Sequence, residues 1–156
     1  MKRVILVAGR PGEGKSHLAK SLVTQHSFVD LSVDQAYVDF IKQHCPMLYL
    51  DALHLYIGPH YHAILSERDY SRAHLGRDFV AEWRRYLVTR IAGLTSLEDS
   101  VVVEGYLLKW WDQELNQSLA SSVQVFVVLV KGRRYFYQGR ELTTVEVARL
   151  GSQQGA

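Results

Sequence analysis

The sequence predicts an α/β fold, a three-layer α/β/α sandwich around a mostly parallel sheet. Three observations predict it. Apolar runs without polar alternation recur at Val4 to Ala8, Ser100 to Glu104 and Val123 to Val130, the pattern of strands covered on both faces. Stretches with helical apolar spacing separate them. The first run passes through a glycine-rich loop directly into a helical stretch, and strands that alternate with helices pair in parallel.

Each element has its own signal. The first strand is Val4-Ile5-Leu6-Val7-Ala8, and the first helix runs from about Gly14 to Gln25 with Leu18, Ala19, Leu22 and Val23 on one face. A second strand is predicted at Phe28 to Val33, followed by Asp34. Asp34 is a good N-cap for a helix whose apolar face holds Tyr37, Val38 and Ile41. Residues 46–74 are rich in Tyr and His, and Gly58-Pro59 breaks them into two helical halves. Asp78 caps an amphipathic helix with Phe79, Val80, Trp83, Leu87, Ile91 and Leu94 on one side and Arg84, Arg85 and Arg90 on the other. Gly93 weakens that helix near its end.

The third strand is Ser100 to Glu104, a short helix is expected at Asp112 to Ser121, and the fourth strand is Val123 to Val130. Beyond it, Arg134 to Tyr137 has strand character and Gln138-Gly139-Arg140 reads as a turn. Thr143-x-x-Glu146 is a capping box that opens a last short helix, which Gly151 ends. Residues 1–150 are expected to form a single domain, with 151–156 a flexible tail.

Composition narrows the function classes. The chain has 156 residues, 47% hydrophobic and 22% charged, enough for a real core and ordinary for a globular protein. A net charge of +2 is too mild to argue for a duplex nucleic acid partner. Cys45 is the only cysteine, which argues against a disulfide framework or a cysteine zinc site and for a reducing, cytoplasmic setting. No apolar run approaches the ~18 residues of a membrane span, so no membrane partner is expected. The apolar start is too short for a signal sequence. His60-x-His62 lacks a third ligand at sensible spacing, so zinc is not expected there.

The chemistry concentrates in Gly9-Arg10-Pro11-Gly12-Glu13-Gly14-Lys15-Ser16, which fits G-x-x-x-x-G-K-[ST] without a mismatch in the strand–loop–helix context that the motif needs. Gly12 and Gly14 let successive N–H groups point into one concave nest. The nest lies at a helix N-terminus, where unpaired amides and the positive dipole end favour anions. Lys15 reaches the β- and γ-phosphates, Ser16 ligates Mg2+, and His17 continues the same turn. The motif implies binding of a nucleoside triphosphate.

In open α/β sheets ligands bind beyond the carboxyl ends of the strands, which selects the remaining candidates. Glu104 ends a run of three valines, where an acidic residue holds Mg2+ directly or through water, or orients an acceptor. Asp34 is the candidate general base for a hydroxyl acceptor, and equally an N-cap. Arg133, Arg134 and Arg140 follow the fourth strand, and one of them is placed to neutralise charge on a transferring phosphoryl group. Spacing does not select which. Residues between His54 and Arg90 are the expected acceptor wall, with Arg68 a possible contact in the Glu67-Arg68-Asp69 cluster.

With these residues placed, the chain resembles the P-loop kinase family, the nucleoside-monophosphate-kinase-like branch of the P-loop NTPases. Gly9 to Ser16 carries the resemblance, with the four-strand order over about residues 1–130. Val33-Asp34 looks like the chloramphenicol phosphotransferase and zeta-toxin group, and Val103-Glu104-Gly105 is similar to several small-molecule kinases. The resemblance implies a 2-3-1-4-5 sheet, ATP with Mg2+, and transfer of the γ-phosphoryl group to a hydroxyl of a small-molecule acceptor, with Asp34 as base. The chain departs from the family after the fourth strand, where an arginine-rich lid is reduced to Lys131 to Arg140 or missing. A second subunit in a homodimer would then close the site. Variants of this reading are a nucleoside or nucleotide kinase, a kinase for nucleic-acid 5′ ends or modified bases, and a regulatory protein that hydrolyses nucleotide slowly. ATP and GTP are not distinguished by the motif.

Overall fold

The structure, a computed structural model, describes residues 2–10, 12–44, 79–105, 117 and 123–152. It is an α/β fold built on a six-stranded, mostly parallel sheet. The strands are β1 (Lys2–Ala8), β2 (Val29–Ser32), β3 (Ser100–Glu104), β4 (Val123–Lys131), β5 (Arg134–Tyr137) and β6 (Arg140–Leu142). The helices are α1 (Lys15–His26), α2 (Val33–His44), α3 (Phe79–Leu97) and α4 (Thr144–Leu150). The sheet order is β2-β3-β1-β4-β5-β6. The first four strands in that order are parallel, and β5 and β6 extend the sheet antiparallel.

The chain packs as two compact units, Met1–Val33 with Val88–Ala156, and Asp34–Leu87. The first holds the whole sheet. Its central strand β1 is hydrogen-bonded along both edges, with Val4 opposite Val101 on one side and Val125 on the other. Ile5 and Val7 face α1 and α4 and join Leu18, Leu22, Val102, Val128 and Val147 in one core cluster. Val4, Leu6 and Ala8, which the pleat turns to the opposite face, are also fully buried. Burial on both faces explains why β1 reads as an unbroken apolar run.

Beyond Lys131, the residues expected to form a reduced lid instead continue the sheet. Gly132 (φ 57°) and Arg133 (φ 62°) form the two-residue turn between β4 and β5, and Gln138 (φ 50°) and Gly139 (φ 80°) form the turn between β5 and β6. Two successive left-handed residues define the hairpin turn whose twist matches that of the strands. The expected capping box is present: Thr143 Oγ1 accepts from Glu146 N at 3.2 Å, and Glu146 Oε1 accepts from Thr143 N at 3.1 Å. Gly151 ends α4 where a Cβ would lie 2.6 Å from Ile5 Cδ1, so the chain there passes flush against β1.

The second unit contains most of α2 and the first half of α3. Tyr37 meets Trp83 edge-on at 5.3 Å, and Phe40 packs on Trp83 and Tyr86 at 5.5 and 5.3 Å. Tyr37 and Trp83 come from the expected apolar faces, whereas Phe40 and Tyr86 were not among the residues expected there. Helix α3 runs four residues past the exposed Gly93 to Leu97, so that glycine does not end it. α2 begins at Val33, which puts Asp34 inside the first turn rather than at the cap. The Tyr- and His-rich stretch 46–74, Asp78, and the helix expected at 112–121 lie outside the described residues, apart from Gln117, which is helical.

Thr143→Ala removes the acceptor at the start of α4 and should cost about 1 kcal/mol in urea denaturation. Glu146 is held below the usual carboxylate range chiefly by its hydrogen bonds with Thr143, so its contribution is present above about pH 4.5 and fades as pH falls through the lowered value. The melting-temperature gap between wild type and Glu146→Gln should therefore be wider at neutral pH than at about pH 3. A gap independent of pH would show that the carboxylate charge contributes nothing to the cap.

Candidate functional site

The loop between β1 and α1 is shaped by what its glycines allow. Gly9 leaves β1 so close to β4 that a Cβ would lie 2.5 Å from Val130 O. Gly12 (φ 81°) and Gly14 (φ 105°) adopt left-handed backbone, which other residues enter only with strain. Gly14 is the N-cap of α1, no side chain caps the helix, and its first turn carries no acidic residue. The first intrahelical bond is donated by Leu18 N to Gly14 O at 3.1 Å. The amides of Lys15, Ser16 and His17 therefore precede the helical ladder and point out of its N-terminus. Lys15 Nζ donates to Gly9 O at 2.7 Å, folding its ammonium across the concavity. Ser16 and His17 are exposed at the rim. Pro11 lies outside the described residues. An open helix N-terminus with a lysine across it has the chemistry to accept an anion.

The β4–β5 turn closes on this loop. Glu13 O accepts from Arg133 N at 2.9 Å, and the Glu13 carboxylate accepts from Gly132 N. Arg133 Cγ and Cα lie 3.3 and 3.5 Å from where a Cβ on Gly14 would stand. Both amides of the turn thus hold Glu13. This arrangement keeps the one carboxylate of the loop engaged with the turn and seats Arg133 against the N-terminus of α1. Sequence reasoning missed the clamp. Its only signal was Gly132 standing two residues from the start of a second strand, the spacing of a tight hairpin.

The turn separates the three candidate arginines. Arg133 stands at the loop. Arg134 is committed to Glu141, donating from Nε at 2.9 Å and from Nη2 at 2.5 Å, with its guanidinium 5.6 Å from the Phe136 ring centroid. The hydrogen bond and charge of Arg134 lower the Glu141 carboxyl, and Glu141 raises the guanidinium further. Arg140 starts β6 and lines a different cavity.

Glu104 is the last residue of β3, in register with Val7 of β1 and Ser32 of β2. Gly105 N donates to Val7 O at 2.9 Å, so β3 stays bonded to β1 up to the loop. The carboxyl end of β3 thus lies beside the start of the Gly9 loop, with Glu104 half-buried there. Asp34 belongs to the second unit, and its side chain is exposed. Among the described residues, no group of three His, Cys, Asp or Glu could hold a metal ion. A hydroxyl and a single carboxylate, Ser16 and Glu104, suit Mg2+, which keeps several waters and takes phosphate oxygens as ligands.

No family model and no curated protein matches the chain. Among solved structures it is similar to the crystal structure of a "putative kinase" from Chloroflexus aurantiacus J-10-fl, with a TM-score of 0.48 and 20% identity over 83% of this chain and 59% of that one. The chain therefore spans about three-fifths of that protein's length.

Glu13→Ala should leave Gly132 N without its acceptor. Native-state hydrogen exchange at Gly132 should then accelerate, while amides inside β1 and β4 keep their protection. Unchanged exchange at Gly132 would mean that the clamp does not persist in solution.

Proposed function

We propose that the chain is a P-loop phosphotransferase, which uses ATP and Mg2+ to move the γ-phosphoryl group to a hydroxyl of a small-molecule acceptor. The observation that carries this reading is the uncapped N-terminus of α1, crossed by Lys15, beside Glu104 at the neighbouring strand end.

Each residue has a role that its chemistry suits. The amides opening α1 bind phosphate oxygens, and Lys15 exchanges its bond to Gly9 O for the β- and γ-phosphates. Ser16 and Glu104 would hold the metal, which when bound would offset the negative charge of the phosphates. Arg133 faces the charge that spreads over the equatorial oxygens as the bond between the γ-phosphorus and the β–γ bridging oxygen breaks and the bond to the acceptor oxygen forms. Asp34, two residues after β2 in the chain, accepts the proton that the acceptor hydroxyl gives up. The acceptor is gripped by residues between His54 and Arg90.

Activity is measured as ADP release against pooled nucleosides, sugars and other hydroxylated small molecules. Lys15→Ala should reduce transfer to background with the fold retained. Arg133→Ala should lower kcat by roughly 100- to 1000-fold, whereas Arg134→Ala should leave it near wild type. Asp34→Asn should lower turnover by roughly 100-fold or more with nucleotide binding intact. Slow ADP release that no pool stimulates would identify a nucleotide-dependent regulator instead. Equal losses at Arg133 and Arg134 would remove the special place given to the turn.

A further inference from the structure

A second concavity lies in the sheet-bearing unit, toward the opposite end of the strands from the loop. Arg3 and Gln124 face each other near the starts of β1 and β4, whereas the loop leaves from the far end of β1. Arg3, Phe126, Arg140, Glu146, Arg149 and Leu150 line this cavity of about 420 Å3. That volume falls within the range of small-molecule sites.

The charges in it are organised and unbalanced. Arg3 Nη1 donates to Leu150 O at 3.2 Å and to Ser152 O at 2.9 Å, which anchors the guanidinium at the C-terminal end of α4. The same guanidinium lies 5.9 Å from the Phe126 ring centroid. Arg140 from β6 and Arg149 from α4 stand near enough to Glu146 to lower its carboxyl further, after its hydrogen bonds with Thr143 have done so. That carboxylate is already bonded to the Thr143 amide. Among the described residues, neither the Arg140 nor the Arg149 guanidinium has a hydrogen-bond acceptor. Among the described residues, three guanidinium groups therefore face one committed carboxylate, which leaves two positive charges unbalanced there. Phe126, 8% exposed, and Leu150 supply an apolar floor. Arginines from three separate elements converge here on one hollow, unlike a row of solvated side chains on a single helix face.

We propose that this cavity binds a small organic phosphate monoester. Its dianion matches the two unbalanced charges, planar guanidinium forks suit phosphate oxygens, and the organic part lies on Phe126 and Leu150. The site is separate from the loop at Gly9 to Ser16 and stands whether or not the chain is a phosphotransferase.

Isothermal titration calorimetry on the whole chain tests this with phenyl phosphate as the probe and benzoate as the singly charged control. One molecule of phenyl phosphate should bind with Lys15→Ala as well as with wild type. Arg140→Ala and Arg149→Ala should each weaken binding by about tenfold. Both arginines are exposed, so these variants should keep the wild-type melting temperature. Glu146→Gln removes the opposing charge and should tighten binding, a gain that a damaged fold does not produce. The proposal is overturned by absence of binding to wild type, by loss of binding in Lys15→Ala, by indifference to Arg140 and Arg149, or by benzoate binding as well as phenyl phosphate.

Discussion

The position of β1 is the constraint on which the rest depends. It is paired on both edges and buried on both faces, so its end is held from four sides. Gly9 leaves that end against the backbone of β4 with no room for a side chain. Three features at that end of the sheet are placed from that point: the loop that follows, Glu104 in the adjacent strand, and the β4–β5 turn. A binding loop is ordinarily among the least stable parts of a fold, whereas this one grows from the most fully bonded strand.

The clamp between Glu13 and the turn addresses an electrostatic conflict within the loop. A free carboxylate next to Gly14 would repel any anion from the N-terminus of α1. Two amides of the turn hold Glu13 from the side, and the same contact carries Arg133 to the helix. One structural contact thereby occupies a negative charge and brings a positive one to the same rim. Arg134, one residue later, belongs to the ladder of β5 and β6 through Glu141. The step from turn to strand is enough to give neighbouring arginines different surroundings.

Much of the fold was legible because burial on both faces writes itself into the sequence. Val4 to Ala8, Ser100 to Glu104 and Val123 to Val130 are strands with boundaries within two residues of those expected. The loop was legible because Gly12 and Gly14 occupy backbone that only glycine enters freely. The capping box at Thr143 was legible because its bonds join residues three apart. What was not legible depends on distant partners. Glu13 meets the turn across more than a hundred residues, and nothing local distinguishes Arg133 from Arg134. Arg134 to Tyr137 was legible as a strand and Gln138-Gly139 as a turn, whereas β6, only three residues long, carried no strand signal of its own. Asp34 was misplaced by two positions as a cap because α2 begins immediately where β2 ends.

The turn that presents Arg133 is poorer as a turn than it needs to be. Left-handed backbone costs a side-chain-bearing residue roughly 1–2 kcal/mol, and Arg133 sits there at φ 62°. Asparagine followed by glycine would fill the same two positions with less strain. Such a replacement would make a more stable hairpin and a protein without its arginine at the helix N-terminus. The pair Gly132-Arg133 therefore exchanges folding stability for the placement of charge. Selection for thermal stability alone would be expected to alter this turn early.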